Sequence, residues 1–154
     1  MSGEHRFFDT DSGWQSIRAG VGEGVLIGGY SRNFAMMFGS PYFSFDPNAD
    51  YILFIEDHER FSKPDAVSEY LAAIWQHPFM RRVRGFIFGC YNNAGTPPEE
   101  LVALLALIGE RYGIPVAYTN DIGHGTRHGV LPMGCRVRLD GGAGTLEFLE
   151  RTIL

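Results

Sequence analysis

The feature that most constrains this chain is Tyr51-Ile-Leu-Phe-Ile55, five apolar residues in a row that run directly into Glu56-Asp57-His58-Glu59. A strand that is apolar on both faces belongs in a sheet covered on both sides, so the run predicts a fully buried strand. A cluster of charge at the end of such a strand needs a reason. Downstream, Val67, Tyr70, Leu71, Ile74 and Trp75 recur at spacings of three and four between Asp65 and Gln76, which predicts an amphipathic helix of about three turns. Val83 to Cys90 then reads as a second buried strand, so strand and helix alternate.

The same reading extends to both sides. Residues 1 to about 20 mix polar and aromatic types without a clear period and predict a lead-in segment with turns. Val25 to Gly29 predicts a short strand stopped by paired glycines, and Asn33 to Phe38 a short helix ended by Gly39 and Pro41. After a loop over residues 92–98, Thr96 is placed to cap a helix with Pro97 or Pro98 in its first turn and Glu99-Glu100 near its positive end. That helix should stop before Gly113. Pro115 to Thr119 predicts a short strand leading into a glycine-punctuated segment, residues 120–129, which carries His124 and His128. Gly134 to Leu139 and Thr145 to Leu149 flank Asp140-Gly-Gly-Ala-Gly144 and predict a closing antiparallel hairpin.

Composition narrows the function classes. At 154 residues and 45% hydrophobic, the chain has the length and apolar content of one domain with its own core. Thirteen Lys plus Arg against eighteen Asp plus Glu give a net charge of -5, which leaves no electrostatic footprint for nucleic acid or anionic lipid. Cys90 and Cys135 lie far apart and follow no metal-ligand spacing, which argues against a disulfide framework and suggests a reducing compartment. Neither a signal peptide nor a stretch of transmembrane length is visible, so the expected location is the cytoplasm.

Four places invite chemistry, and each has a plainer reading beside it. Glu56 leaves the end of a buried strand, where an α/β fold presents functional side chains to a crevice, although acids at strand ends are also ordinary turn residues. His124 sits between Gly123 and Gly125 with little bulk beside it, and a loop histidine of this kind is often simply exposed. Together they have the residue types of an orienting carboxylate and a general base, the second and third members of a Ser-His-acid triad. His124 and His128 are four apart, as on a metal-binding helix face, but the surrounding glycines argue against a helix, so no metal site is expected. Cys90 could serve as the nucleophile of a Cys-His-Glu hydrolase, but a proline-containing loop follows it instead of a sharp turn into a helix, and a buried inert thiol is the better reading. Ser31, in Gly29-Tyr30-Ser31-Arg32, lacks the second glycine of a nucleophile elbow and is equally suited to cap the helix that follows.

Four collinear segments carry a resemblance. They are Glu23-Gly-Val-Leu-Ile-Gly-Gly29, Tyr51-Ile-Leu-Phe-Ile-Glu-Asp57, Arg84-Gly-Phe-Ile-Phe-Gly89, and Gly113-Ile-Pro-Val through Gly123-His-Gly125 to Leu131-Pro-Met-Gly134. In this order they resemble the C-terminal domain of the serine LD-carboxypeptidases, the family of muramoyl-tetrapeptide carboxypeptidase and the microcin C self-immunity proteins, over about residues 20–150. The resemblance implies a swivelling α/β domain of the β/β/α type, with a mixed sheet and flanking helices, occupying the whole of residues 1–154. It implies that Glu56 and His124 complete a triad whose serine lies on a separate N-terminal domain that this chain lacks, so that the chain alone is idle. Neither cofactor nor metal is implied. The implied substrate is a small peptide such as a murein tetrapeptide, or a peptidyl-nucleotide antibiotic, cleaved at its C-terminal amide, and the implied subunits can pair as a homodimer. The family usually carries Gly-Gly-Asn-Leu where this chain has Gly28-Gly29-Tyr30-Ser31, so contacts near that turn should differ. Arg127 and His128 receive no role. The rival expectation is a non-catalytic binding module that keeps the fold.

Overall fold

The apolar run becomes the middle strand of a sheet. A computed structural model describes residues 13–125 and 129–151. Among these, the elements in chain order are β1 (Trp14–Arg18), β2 (Val21–Tyr30), α1 (Ser31–Met37), β3 (Tyr51–Glu56), α2 (Pro64–Trp75), β4 (Val83–Cys90), α3 (Glu99–Tyr112), β5 (Val116–Gly123), β6 (Arg136–Asp140) and β7 (Thr145–Phe148). The strands form one mixed sheet of order β1-β5-β4-β3-β2-β6-β7. The neighbours from β2 to β5 are parallel, and each step between them passes through one α-helix, with a short 3-10 helix over Pro78–Arg82 added before β4. Antiparallel strands close both edges, β1 on β5 and the β6–β7 hairpin on β2.

The pleat of β3 sorts its apolar residues onto two cores, since alternate side chains point to opposite faces. Tyr51, Leu53 and Ile55 face the helices and share a cluster with Phe34 of α1, Val67, Leu71 and Ile74 of α2, and Leu101, Leu105 and Ile108 of α3. Ile52 and Phe54 face the other way, into a cluster with Leu26, Ile87 and Ala117 that Val137, Leu139 and Leu146 of the hairpin cover. Among the described residues no helix lies over that second face; the sheet curls to close it. Leu139 of β6 comes against Gly85 of β4, and Gly141 against Pro115 and Val116, contacts that a flat sheet could not make.

Several boundaries depart from the expectations above. Residues 14–18 are a strand, not a lead-in of turns: Ile17 packs on one core and Trp14 on the other, with an irregularity in the pairing between Ser16 and Arg18 that breaks the alternation in the sequence. The paired glycines do not stop β2, which starts at Val21 and continues to Tyr30, so α1 begins directly at Ser31 instead of Asn33. Ser31 is therefore the first helical residue and not a cap. Thr96 does not cap α3 either: the residue before the helix is Pro98, in extended backbone, and the helix ends as expected on a left-handed Gly113. β5 runs past Thr119 to Gly123, because Cys90 of β4 keeps a partner there in Gly123.

Candidate active site

Parallel strands end together, and β2 to β5 deliver Tyr30, Glu56, Cys90 and Gly123 to one edge of the sheet, with Tyr30 in register with Glu56 and Cys90 with Gly123. The crevice beyond the carboxyl ends of such strands is where an open α/β sheet offers side chains to a ligand. His124 follows β5 at once, its amide donating to the Cys90 carbonyl at 3.4 Å. Its Nδ1 lies 3.6 Å from Oε2 of Glu56, with the two side chains 39% and 23% exposed. That is ion-pair range and just beyond a hydrogen bond. Gly123 makes the approach feasible. Its φ is +113°, and a Cβ there would stand 2.8 Å from the Cys90 nitrogen and 3.2 Å from Glu56 Oε2.

Three aromatic rings surround the imidazole. Tyr30 meets it edge-on with centroids 5.4 Å apart, while His58 and Phe61 lie 6.0 and 6.3 Å away. His58 is buried, and its Nδ1 accepts from the Arg60 amide at 3.1 Å. Phe61 stands 72% exposed beside the imidazole.

Asp57, the residue after Glu56, is fully buried and does different work. It accepts hydrogen bonds from the Tyr30 hydroxyl at 2.7 Å, from its neighbour's amide, His58 N, at 2.7 Å, and from the Ser31 hydroxyl. The end of β3 is thereby tied to the β2–α1 junction. Burial, reinforced by the bond to Asp57, pushes the Tyr30 phenol up from 10.0 to about 12. Sequence reasoning passed over both residues; Tyr30's place at a strand end beside the acid was the available signal.

The remaining candidates do not join this edge as reactive groups. Ser31 is fully buried, with its hydroxyl given to Asp57. Cys90 is buried too: its thiol donates to the Asn92 carbonyl at 3.2 Å, and burial raises its pKa above the ordinary value. His128 and Arg127 lie outside the described residues, and among the described residues no group of three or more His, Cys, Asp or Glu side chains could hold a metal. Nor is any described helix long and apolar enough to cross a membrane. A groove of about 670 Å³ opens close by, between the first turns of α2 and α3, with Glu59, Lys63 and Tyr91 in its wall.

Comparison with known proteins identifies the family and the fold, without reference to individual site residues. The family model for the LD-carboxypeptidase C-terminal domain matches residues 23–139. A putative carboxypeptidase of Treponema pallidum is 32% identical over 139 residues, covering 89% of this chain and 40% of the relative. The fold matches an MccF-like protein from Streptococcus pneumoniae in complex with AMP, with a TM-score of 0.73, 21% identity, and coverage of 91% of this chain and 44% of that one. It also matches muramoyltetrapeptide carboxypeptidase from Oxalobacter formigenes, with a TM-score of 0.67, 24% identity, and coverage of 88% and 49%. The chain thus spans about two fifths of the length of the curated relative.

Proposed function

We propose that this chain, which belongs to the LD-carboxypeptidase C-terminal domain family, supplies the general base and its orienting acid to a serine peptidase that cleaves the C-terminal amide of a small peptide. The observation that carries the reading is the 3.6 Å approach of Glu56 Oε2 to His124 Nδ1 at an open strand edge. With Nδ1 facing the carboxylate, Nε2 is left to face a nucleophile. In this mechanism a serine from outside residues 13–151 attacks the substrate carbonyl while His124 Nε2 takes its proton. The same imidazole then returns the proton to the leaving amine, and Glu56 keeps the proton on Nδ1 and stabilises the imidazolium. A water molecule, activated by the same base, hydrolyses the acyl-enzyme.

The burial of Ser31 and Cys90 supports a nucleophile contributed by the part of the protein that the longer relatives carry beyond this domain. Two substrate classes are proposed: a murein tetrapeptide, in line with the name of the Oxalobacter formigenes carboxypeptidase, and a peptidyl nucleotide, whose nucleotide part resembles the AMP held by the Streptococcus pneumoniae protein.

The test is kinetic. In the longest protein containing this chain, release of the C-terminal residue from each substrate class is measured for wild type, Glu56→Gln and His124→Ala. Each variant should lose roughly three to four orders of magnitude in kcat, the scale seen when a triad member is removed. Near-normal rates in both would end the assignment. This 154-residue chain alone should release nothing.

A further inference from the structure

We propose that Tyr30 is a positioning residue for His124: anchored through its hydroxyl to buried Asp57, its ring fixes the rotation of the imidazole that directs Nδ1 toward Glu56. The inference rests on the Glu56–His124 reading and asks what holds that pair in place.

Glu56 alone holds His124 weakly. The 3.6 Å approach is longer than a hydrogen bond, the side chain is 39% exposed, and glycines flank it on both sides. The His124 amide is tied down by a single long bond to Cys90. Of its aromatic neighbours, Phe61 stands mostly in solvent, its amide donating to the His58 carbonyl at 2.8 Å and its ring 6.3 Å from the imidazole, and His58 sits 6.0 Å away. Tyr30 is nearer, at 5.4 Å with the planes inclined by 69°, the edge-to-face geometry that aromatic rings favour.

Tyr30 is also fixed at both ends. Its backbone closes β2 in register with Glu56, so the two side chains leave the same face of the sheet. Its hydroxyl ends on Asp57, whose carboxylate is held in turn by the Ser31 hydroxyl and the His58 amide. Gly28 makes this close approach of β2 to β3 possible. Its φ is +156°, and a Cβ there would collide with the Phe54 carbonyl, so the strand reaches Tyr30 through a backbone path that only glycine takes comfortably. A tyrosine pinned in this way forms a wall against which the imidazole cannot turn over to exchange its two nitrogens.

The experiment is nitrogen NMR on this chain with labelled histidine, at a pH where imidazole is neutral, reading which ring nitrogen of His124 carries the proton. Wild type should show the Nδ1–H form in excess. Tyr30→Ala should lower that excess by roughly two- to tenfold, the range expected for loss of one aromatic contact. Tyr30→Phe, which keeps the ring and loses the tether, should fall between. His58 is the internal control, since its Nδ1 accepts from the Arg60 amide and its tautomer should not move. Where Tyr30→Ala disturbs His58, the Phe variant decides the question. An unchanged His124 ratio in the deciding variant, together with a shift in Glu56→Gln, overturns the role of Tyr30 and leaves the acid–base pair standing. An unchanged ratio in Glu56→Gln overturns the pair itself.

Discussion

Glu56 and Asp57 are adjacent carboxylic acids, the last residue of β3 and the one after it, yet they have almost nothing else in common. Glu56 is partly open to solvent and faces one imidazole at 3.6 Å. Asp57 is fully buried and accepts three hydrogen bonds, from the Tyr30 and Ser31 hydroxyls and the His58 amide. One step along the chain changes the burial and the partners of the carboxylate, and with them its consequence. A carboxylate with an accessible oxygen beside an imidazole can take part in proton transfer, whereas a buried one held by three donors organises structure.

The contrast can be broken by experiment. The largest effect should be catalytic and confined to Glu56: in the full protein, Glu56→Gln should cost roughly 10³- to 10⁴-fold in kcat. The same change should leave the free energy of unfolding nearly unmoved, within about 0.5 kcal/mol, as for other partly exposed ion pairs. Asp57→Ala should do the reverse in equilibrium unfolding of this chain and cost about 2–4 kcal/mol, because it strands buried donors on Ser31 and Tyr30. Equal losses of stability at the two positions would erase the distinction.

A smaller effect concerns pH. Tyr30 and Tyr91 are both pushed up from 10.0 to about 12, chiefly by burial. A phenol whose folded pKa is raised binds its proton more tightly in the native state, so its stabilisation is complete below pH 10 and declines as pH rises toward 12. Stability measured across that window should fall, and Tyr30→Phe should flatten part of the slope. An unchanged slope would mean that the Asp57 network does not hold the phenol. The smallest effect is at the neighbouring strand end. Cys90, buried and with a raised pKa, should resist iodoacetamide at neutral pH while the half-buried Cys135 reacts, as read by peptide mass mapping. Rapid labelling of Cys90 would reopen the edge as a thiol site.

How much of this was legible beforehand depended on where each residue draws its partners. β3, β4, α2 and α3 announced themselves because their apolar patterns are local. Trp14 to Arg18 did not: an edge strand whose pairing shifts between Ser16 and Arg18 loses the alternation that marks a strand. Asn120 to Gly123 reads as loop by composition and is strand only because β4 continues beside it. Glu56 and His124 each stood out by position, and the family segments joined them. Asp57 and Tyr30 were missed because their roles exist only when β2 and β3 end together, and Ser31 drew suspicion as a nucleophile when its hydroxyl belongs to Asp57.

The late position of β6 in the chain has a bearing on biogenesis. The four strand ends that carry Tyr30, Glu56, Cys90 and Gly123 are all synthesised before Arg136–Asp140, the segment that pairs with Val21–Val25. Until that segment emerges from the ribosome, β2 is an unpaired edge, and Leu26, Ile52, Phe54 and Ile87 look out on water with no cover from Val137 and Leu139. A nascent chain halted there would carry the residues of the site on an adhesive sheet, the kind of surface that chaperones engage and that seeds aggregation.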